Sequence, residues 1–297
     1  MTGPERGFLL LTSHLGDPER KPLTTAQLRS LADRMRSAPR KQEDRELTAA
    51  DLRELGMQSG LPERVVKLLG DEKQLEYYLS KGRRSGCVPI TRISSHYPKL
   101  LKDRLGLDCP GCLWTKGDVS ILHTPAIALV GSRELGEPNR EFAQRVGYEA
   151  AVQGLTLVSG NARGADKTAQ EACLKAGGRV VSIVADSLAS RRERNNVLYV
   201  SEDDFDGEFS AQRALSRNRC IHALGRMVFV AQSSLQTGGT WDGTVKNLRF
   251  GWSSVACFRD GSEASHQLEQ MGAYLVGLED LHDFGGLPES EEYLFTR

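Results

Sequence analysis

At 297 residues, with 39% hydrophobic and 26% charged residues, the chain is long enough for about two domains and has the composition of an ordinary soluble protein. No apolar run approaches the roughly 18 residues of a membrane span, and Met1–Leu15 lacks the basic start and long apolar centre of a signal peptide, so a cytoplasmic protein without membrane contact is expected. The 39 basic residues balance 39 acidic ones, so any nucleic-acid contact has to come from a local basic patch and not from net charge.

Residues 1–85 read as a small helical domain. Leu23-Thr24-Thr25-Ala26-Gln27-Leu28 and Leu47-Thr48-Ala49-Ala50-Asp51-Leu52 share a pattern that places Thr24 and Thr48 as N-caps, with Gln27 and Asp51 three residues on. Between them Arg34–Glu46 is dense in charge and carries Pro39, which predicts a solvated helix end and loop. Gly60-Leu61-Pro62-Glu63 signals a third helix, with Pro62 at its first position and Val65, Val66, Leu68 and Leu69 on its apolar face. Modules of this SAM-like or helix-hairpin-helix-like kind can bind a DNA backbone, but short capped helices serve more commonly as packing units, and packing is the role expected here.

Residues 86–125 read as a linker and an extension of the domain that follows. Of the six cysteines, Cys87, Cys109, Cys112, Cys173, Cys220 and Cys257, only the pair in Cys109-Pro110-Gly111-Cys112 has metal or redox spacing. No second C-x-x-C or H-x-x-x-H completes a zinc site, and the pair precedes Leu113-Trp114 in a linker-like stretch instead of a strand-to-helix junction, so reduced cysteines and no metal are expected.

Residues 126–283 read as a doubly wound, mostly parallel α/β sheet of Rossmann-like type, followed by an acidic tail over 284–297. Ala126-Ile127-Ala128-Leu129-Val130 runs into Gly131-Ser132-Arg133 and then a helix from about Asn139 to Gln153, with Phe142, Val146 and Ala150 on one face. Thr156-Leu157-Val158-Ser159 runs into Gly160-Asn161-Ala162-Arg163-Gly164-Ala165-Asp166 and a helix to about Ala176, with Ala165, Ala169, Ala172, Cys173 and Ala176 on one face. The strands, with Arg179–Val184 as the third, are short apolar runs without alternation, as parallel strands buried on both sides require. Ligands of such sheets bind beyond the strands' carboxyl ends.

Two Gly/Ser/Arg turns in succession favour a ligand with several phosphates over glycines that merely turn the chain. Gly131 and Gly160 allow close backbone approach, Ser132 and Ser159 add hydroxyls, and Arg133 and Arg163 can each grip a phosphate through two N–H groups. Asp166 fits either the N-cap of the second helix or an ion pair orienting Arg163. Arg213, Arg217 and Arg219 cluster around Asn218 ahead of the apolar strand Met227–Val230. Within one helix, residues 217 and 219 cannot share a face; a loop or helix start there would let both reach the site. Neither turn is a G-x-G-x-x-G or a P-loop, and no cofactor is implied.

Three ordered motifs carry a family resemblance: Val130-Gly131-Ser132-Arg133, then Ser159-Gly160-Asn161-Ala162-Arg163-Gly164-Ala165-Asp166, then Arg217-Asn218-Arg219. With His96-Tyr97-Pro98-Lys99-Leu100-Leu101 upstream and Val200-Ser201-Glu202 downstream, they resemble the DprA/Smf family of DNA-processing proteins over roughly residues 86 to 232, the order of elements fitting to about residue 283. The resemblance implies single-stranded DNA binding without covalent chemistry, protection of single strands as in natural transformation, loading of a RecA-type recombinase, and a homodimer. Gln170 stands where that family usually has His, and no winged-helix extension is expected after residue 283.

The turn Gly238-Gly239-Thr240-Trp241-Asp242 departs from the family pattern and is similar to the phosphate turn of the related lonely-guy phosphoribohydrolases. It adds Gly238, Gly239 and Thr240 to the candidate phosphate-binding residues. It also supports an alternative, a nucleotide-binding or nucleotide-hydrolysing enzyme or sensor with Asp242 as its acid; Trp241 would either stack on a base or cap the helix. Under the main reading there is no catalytic residue. The acidic Glu202-Asp203-Asp204-Phe205-Asp206 stretch is expected to be a solvated loop.

Overall fold

In the computed structural model the described residues are 1–37, 46–202 and 204–288. Pro39, Asp203 and the tail from residue 289 therefore lie outside the described residues. The chain divides into two compact units.

The first unit comprises Met1–Tyr97 and Pro110–Leu113. It holds α1 (Gly3–Thr12), α2 (Thr25–Ser37), α3 (Ala49–Glu54), α4 (Leu61–Gly70), α5 (Glu72–Arg84) and the strand β1 (Val88–Thr91). The caps form as the sequence predicts. Thr24 Oγ1 accepts from Gln27 N (3.3 Å) while Gln27 Oε1 accepts from Thr24 N (3.1 Å), and Thr48 and Asp51 repeat the exchange at 3.3 and 2.9 Å. Gly60, at φ 69°, is the cap residue of α4, so Pro62 occupies the second helical position and not the first. Leu23, Leu31, Leu52, Met57, Val65 and Leu68 form the core of this unit.

Arg20 ties the helices together from inside. Its guanidinium donates to the carbonyls of Leu10 (2.6 Å), Ser13 and Leu68 (3.2 Å) and pairs with Asp71 (3.2 Å), which gives donors to carbonyls at the ends of α1 and α4. Neither α1 nor α5 is among the sequence expectations. The α1 apolar residues form a continuous run with no helical period, whereas Leu75, Tyr78, Leu79 and Gly82 of α5 do follow the i, i+3, i+4, i+7 rule beneath a mostly charged composition.

The second unit comprises Pro98–Cys109 and the chain from Trp114 onward. Its elements are α6 (Lys99–Leu105), β2 (Cys112–Lys116), β3 (Ala126–Val130), α7 (Glu137–Val152), β4 (Thr156–Ser159), α8 (Ala165–Lys175), β5 (Arg179–Ile183), β6 (Val197–Glu202), α9 (Ala211–Leu224), β7 (Met227–Val230), α10 (Gly238–Phe250), β8 (Ser254–Phe258), α11 (Glu263–Gln270) and β9 (Tyr274–Val276), the first two residues of β2 belonging to the first unit. Two expectations are corrected here. The stretch around Trp114 is a fully buried strand of the sheet, so it reads as the extension of the sheet domain and not as linker, and Phe205 in the acidic stretch is buried against the Trp114 ring (centroids 4.6 Å apart), so that loop is anchored by an aromatic contact.

From β2 the strands follow the order β2-β6-β5-β4-β3-β7-β8-β9. Every pair from β6 to β9 is parallel, and Ala128 of β3 is in register with Val158 of β4 on one side and Val228 of β7 on the other. The chain thus winds outward from β3 through β6, then returns to the other side of β3 for β7, which makes the β3 edge the switch point of a doubly wound sheet. Helix α7 packs on α8 and α9 on α10, as right-handed crossovers on the two sides of β3 require. Gly147 permits the first contact, since a Cβ there would run into the Ala169 backbone.

In the α9–α10 interface His222 is fully buried, and neither ring nitrogen has a hydrogen-bond partner. Burial pushes its pKa down from 6.5 to about 3. The native protein therefore keeps His222 neutral, while the unfolded chain takes up a proton below pH 6.5, and stability is lost as pH falls from there toward 3. Urea midpoints should show about 2 kcal/mol less stability from this residue at pH 5 than at pH 7, a difference that His222→Leu removes. The same pH slope in both proteins would contradict the assignment.

Candidate functional site

The turns after β3, β4 and β7 meet at the carboxyl edge of the sheet because β3 lies between the other two strands. Each leads into a helix, α7, α8 or α10, whose cap residue, Gly136, Gly164 or Thr237, makes no side-chain capping bond. Free N–H groups at such helix starts favour negative charge, although in α8 the amides of Ala165 and Lys167 already donate to Ser132 O and Ala162 O.

Backbone hydrogen bonds join the turns. Ser132 N donates to Gln232 O (3.0 Å), Gly136 N to Gln232 Oε1 (3.0 Å) and Ala165 N to Ser132 O (3.1 Å). Two glycines are required by close approach. A Cβ on Gly131 would lie 2.6 Å from that of Ala165, and Gly164, at φ 88°, faces the carbonyl oxygens of Ser132 and Arg133 where a Cβ would go. Asn161 adopts φ 59° between them, a left-handed conformation that Asn tolerates better than most residues.

Asp166 does neither of the things its sequence position suggests. The cap of α8 is Gly164, and the carboxylate of Asp166 turns back to accept from Gly160 N (3.1 Å) and Ala162 N (3.0 Å), which fixes the β4 turn. Its charge partner is Arg217, not Arg163. Burial raises the Asp166 carboxyl above its ordinary range, against the opposing pull of Arg217, of the two amides and of Arg133. Burial likewise lowers the Arg217 guanidinium, Asp166 countering. Arg217 fills the space beside Gly160 so completely that any Cβ at 160 would overlap its guanidinium.

In place of a loop or helix start around Arg217-Asn218-Arg219, α9 runs unbroken through all three residues. Consecutive odd positions point to opposite sides of a helix. Arg217 enters the β4 turn, whereas Arg219 pairs with Glu202 (2.8 Å) and donates to Ser216 (2.6 Å), away from that turn. Asn218 reaches the third turn, donating to Gly239 O (3.0 Å).

The remaining candidates divide by exposure. Arg133 is exposed and makes no hydrogen bond or ion pair among the described residues. Arg163 is exposed and pairs with Glu134 (3.3 Å). Ser132 Oγ accepts from Glu134 N (3.2 Å) and holds the turn in shape. Ser159 is buried and bonded to Gln170 (2.5 Å), which also reaches Ser182 (3.5 Å), so its hydroxyl faces the core and no ligand. Gly238, at φ 84°, Gly239 and Thr240 form the first turn of α10. Trp241 is buried and offers no face to a base; Asp242 is held by Lys246 one helical turn on (2.8 Å). Among the described residues no group of three or more His, Cys, Asp or Glu side chains is placed to hold a metal.

The arrangement is a cradle of amide and guanidinium donors around one internally compensated carboxylate. Residues 89–283 match the family model for DNA recombination-mediator protein A. The chain belongs to that family. It is 30% identical over 182 residues to the DNA processing protein DprA of Streptococcus pneumoniae, covering 57% of this chain and 64% of that one, and 31% identical over 185 residues to protein Smf of Escherichia coli, covering 57% and 49%. The chain thus spans less than two thirds of either relative.

The X-ray structure of the S. pneumoniae protein shares the fold with a TM-score of 0.70 at 23% identity, over 93% of this chain and 95% of that one. The structure reported for the single-stranded DNA binding mode of DNA processing protein A from Helicobacter pylori aligns with a TM-score of 0.55 at 23% identity, over 67% and 93%. The family resemblance and the doubly wound fold expected from the sequence therefore hold.

Residues outside the family motifs also build the site. Gln232 links the first turn to the end of β7, and Glu134 occupies Arg163; the one signal for either was its place directly after a strand end or beside a motif Arg. Gly160→Ala should displace Arg217 and lower the urea unfolding stability by about 1–3 kcal/mol, the usual range for overpacking. A midpoint equal to that of the unmodified protein would show that Arg217 does not depend on Gly160.

Proposed function

We propose that the chain binds single-stranded DNA through the strand-end cradle and acts in DNA processing and recombination. The observation that carries this reading is the pairing of two exposed guanidiniums, Arg133 and Arg163, with helix N-termini that no side chain caps. Phosphates of a strand take the amide donors of Gly131 and Gly164 and of the Gly238-Gly239-Thr240 turn, with Arg133 and Arg163 closing over them, while Gly160, whose amide is held by Asp166, shapes the β4 turn. Arg217 and Asn218 hold the turns in place from α9. No covalent step is needed.

Family membership supports the reading, as does the H. pylori relative's reported binding of single-stranded DNA. On the same family ground, the bound strand is protected and passed to a RecA-type recombinase, two copies of the chain associate, and the protein works in the cytoplasm. No described helix is long and apolar enough to cross a membrane.

Replacing both Arg133 and Arg163 by Ala should weaken oligonucleotide binding alike for all sequences and reduce the salt slope by roughly 0.7 for each phosphate no longer neutralised. Unchanged affinity and slope would remove the centre of the proposal. Glu134 supplies a second test, because a phosphate has to displace it from Arg163. In a titration of single-stranded oligonucleotide, Glu134→Gln should tighten binding severalfold in the otherwise unmodified protein and have no effect when Arg163 is already Ala. Equal tightening in both backgrounds would mean that Glu134 acts only as a diffuse negative charge.

A further inference from the structure

Helix α9 carries Arg217 into the cradle, and large apolar side chains just before and within its first turns stay in water. Ser210 caps it, its Oγ accepting from Arg213 N (3.1 Å). The Arg213 guanidinium then donates to Ala185 O (3.2 Å), Ser201 Oγ (3.2 Å) and, more weakly, Asp204 O (3.5 Å), which fixes the start of α9 over the carboxyl ends of β5 and β6. Four residues on, Arg217 meets Gly160 at the end of β4. The helix therefore begins on the same sheet edge as the cradle. Neighbouring strands are about 4.8 Å apart, so its first residues lie roughly 10 Å from the β4 turn.

Phe209 directly precedes the cap residue and is 57% exposed. A residue at this position commonly folds back on the helix as a staple. Phe209 stays in solvent instead, with no ring contact among the described residues. Leu215, 47% exposed, lies nearer the phosphate donors, since its Cδ2 is 3.4 Å from the place of a Cβ on Gly239 in the first turn of α10.

We propose that Phe209, with Leu215 beside the α10 turn, forms a platform for the bases of a single strand whose phosphates occupy the cradle. The proposal rests on the single-strand reading and extends it from backbone to base. Every base has a π-face, so a phenyl platform accepts any sequence. Paired bases in a duplex are already stacked and shielded, so the platform separates single strands from duplex in a way that phosphate contacts alone do not. The start of α9 is anchored over the ends of β5 and β6 and Leu215 adjoins the α10 turn, and this place along the strand ends is what argues for a nucleotide chain as the occupant over a protein partner.

The test compares an oligothymidylate with an abasic oligonucleotide of the same length and charge. Phe209→Ala should bind the oligothymidylate about tenfold more weakly with its salt slope unchanged, and bind the abasic strand as the unmodified protein does. Phe209→Trp should show indole fluorescence quenched by oligothymidylate and not by the abasic strand. If Phe209→Ala binds oligothymidylate normally, or weakens equally on both strands, the platform is wrong while the cradle stands. If Phe209→Ala changes the oligomeric state without changing binding, the patch serves a second copy of the chain and the platform is again wrong. An unmodified protein that binds neither strand would overturn the single-strand reading and the platform with it.

Discussion

The guanidinium of Arg217 occupies the volume that any side chain at position 160 would claim, and the buried Asp166 carboxylate is its strongest opposite charge. Each group is expensive to bury alone, and removing one member of such a pair commonly costs about 3–5 kcal/mol. Asp166 also holds two amides of the β4 turn, so the same carboxylate that compensates α9 shapes the loop between β4 and α8. Backbone conformation, helix position and charge balance are thus settled by one contact. The outward-facing Arg133 and Arg163 inherit their positions from it.

Sheet topology determines which turns can share that arrangement. The β3 and β4 turns are consecutive in the chain, but the β7 turn joins them only because the strand order reverses at β3. Gln232 records that reversal, one residue bonding to the β3 turn through both its carbonyl and its side chain. A helix such as α9, crossing from the ends of β5 and β6 toward β4, can therefore serve several turns at once, with Arg213, Arg217 and Asn218 each reaching a different one.

What could be read from the sequence follows how local each determinant is. The two capping exchanges at Thr24 and Thr48 are complete within four residues, and both form. The Gly131 and Gly160 turns are equally local, which is why their positions after β3 and β4 were legible. Arg217 and Arg219 were not separable in that way, because their roles depend on the phase of α9 and on a carboxylate, Glu202, from another strand. The directions in which Ser159, Trp241 and Phe205 face were not legible for a related reason. A residue at a strand end or in a helix's first turn can face core or solvent, and only the packing of Gln170 or Trp114 against it decides.

A chain of zero net charge also limits how the site can work. Arg217 is offset by Asp166, Arg219 by Glu202 and Arg163 by Glu134, which leaves Arg133 as the one uncompensated guanidinium among these four. Long-range attraction of a polyanion scales with uncompensated charge and is screened within about 8 Å at physiological salt. A cradle built this way gains little from a diffuse field. Its selectivity has to come from short-range geometry, from the spacing of amide donors at three adjoining turns and from whatever apolar surface continues along the same edge. Fixed donors cost no reordering when the ligand arrives, whereas the exposed Arg133 and Arg163 side chains do. The buried pair therefore contributes to recognition indirectly, by keeping the backbone donors in place.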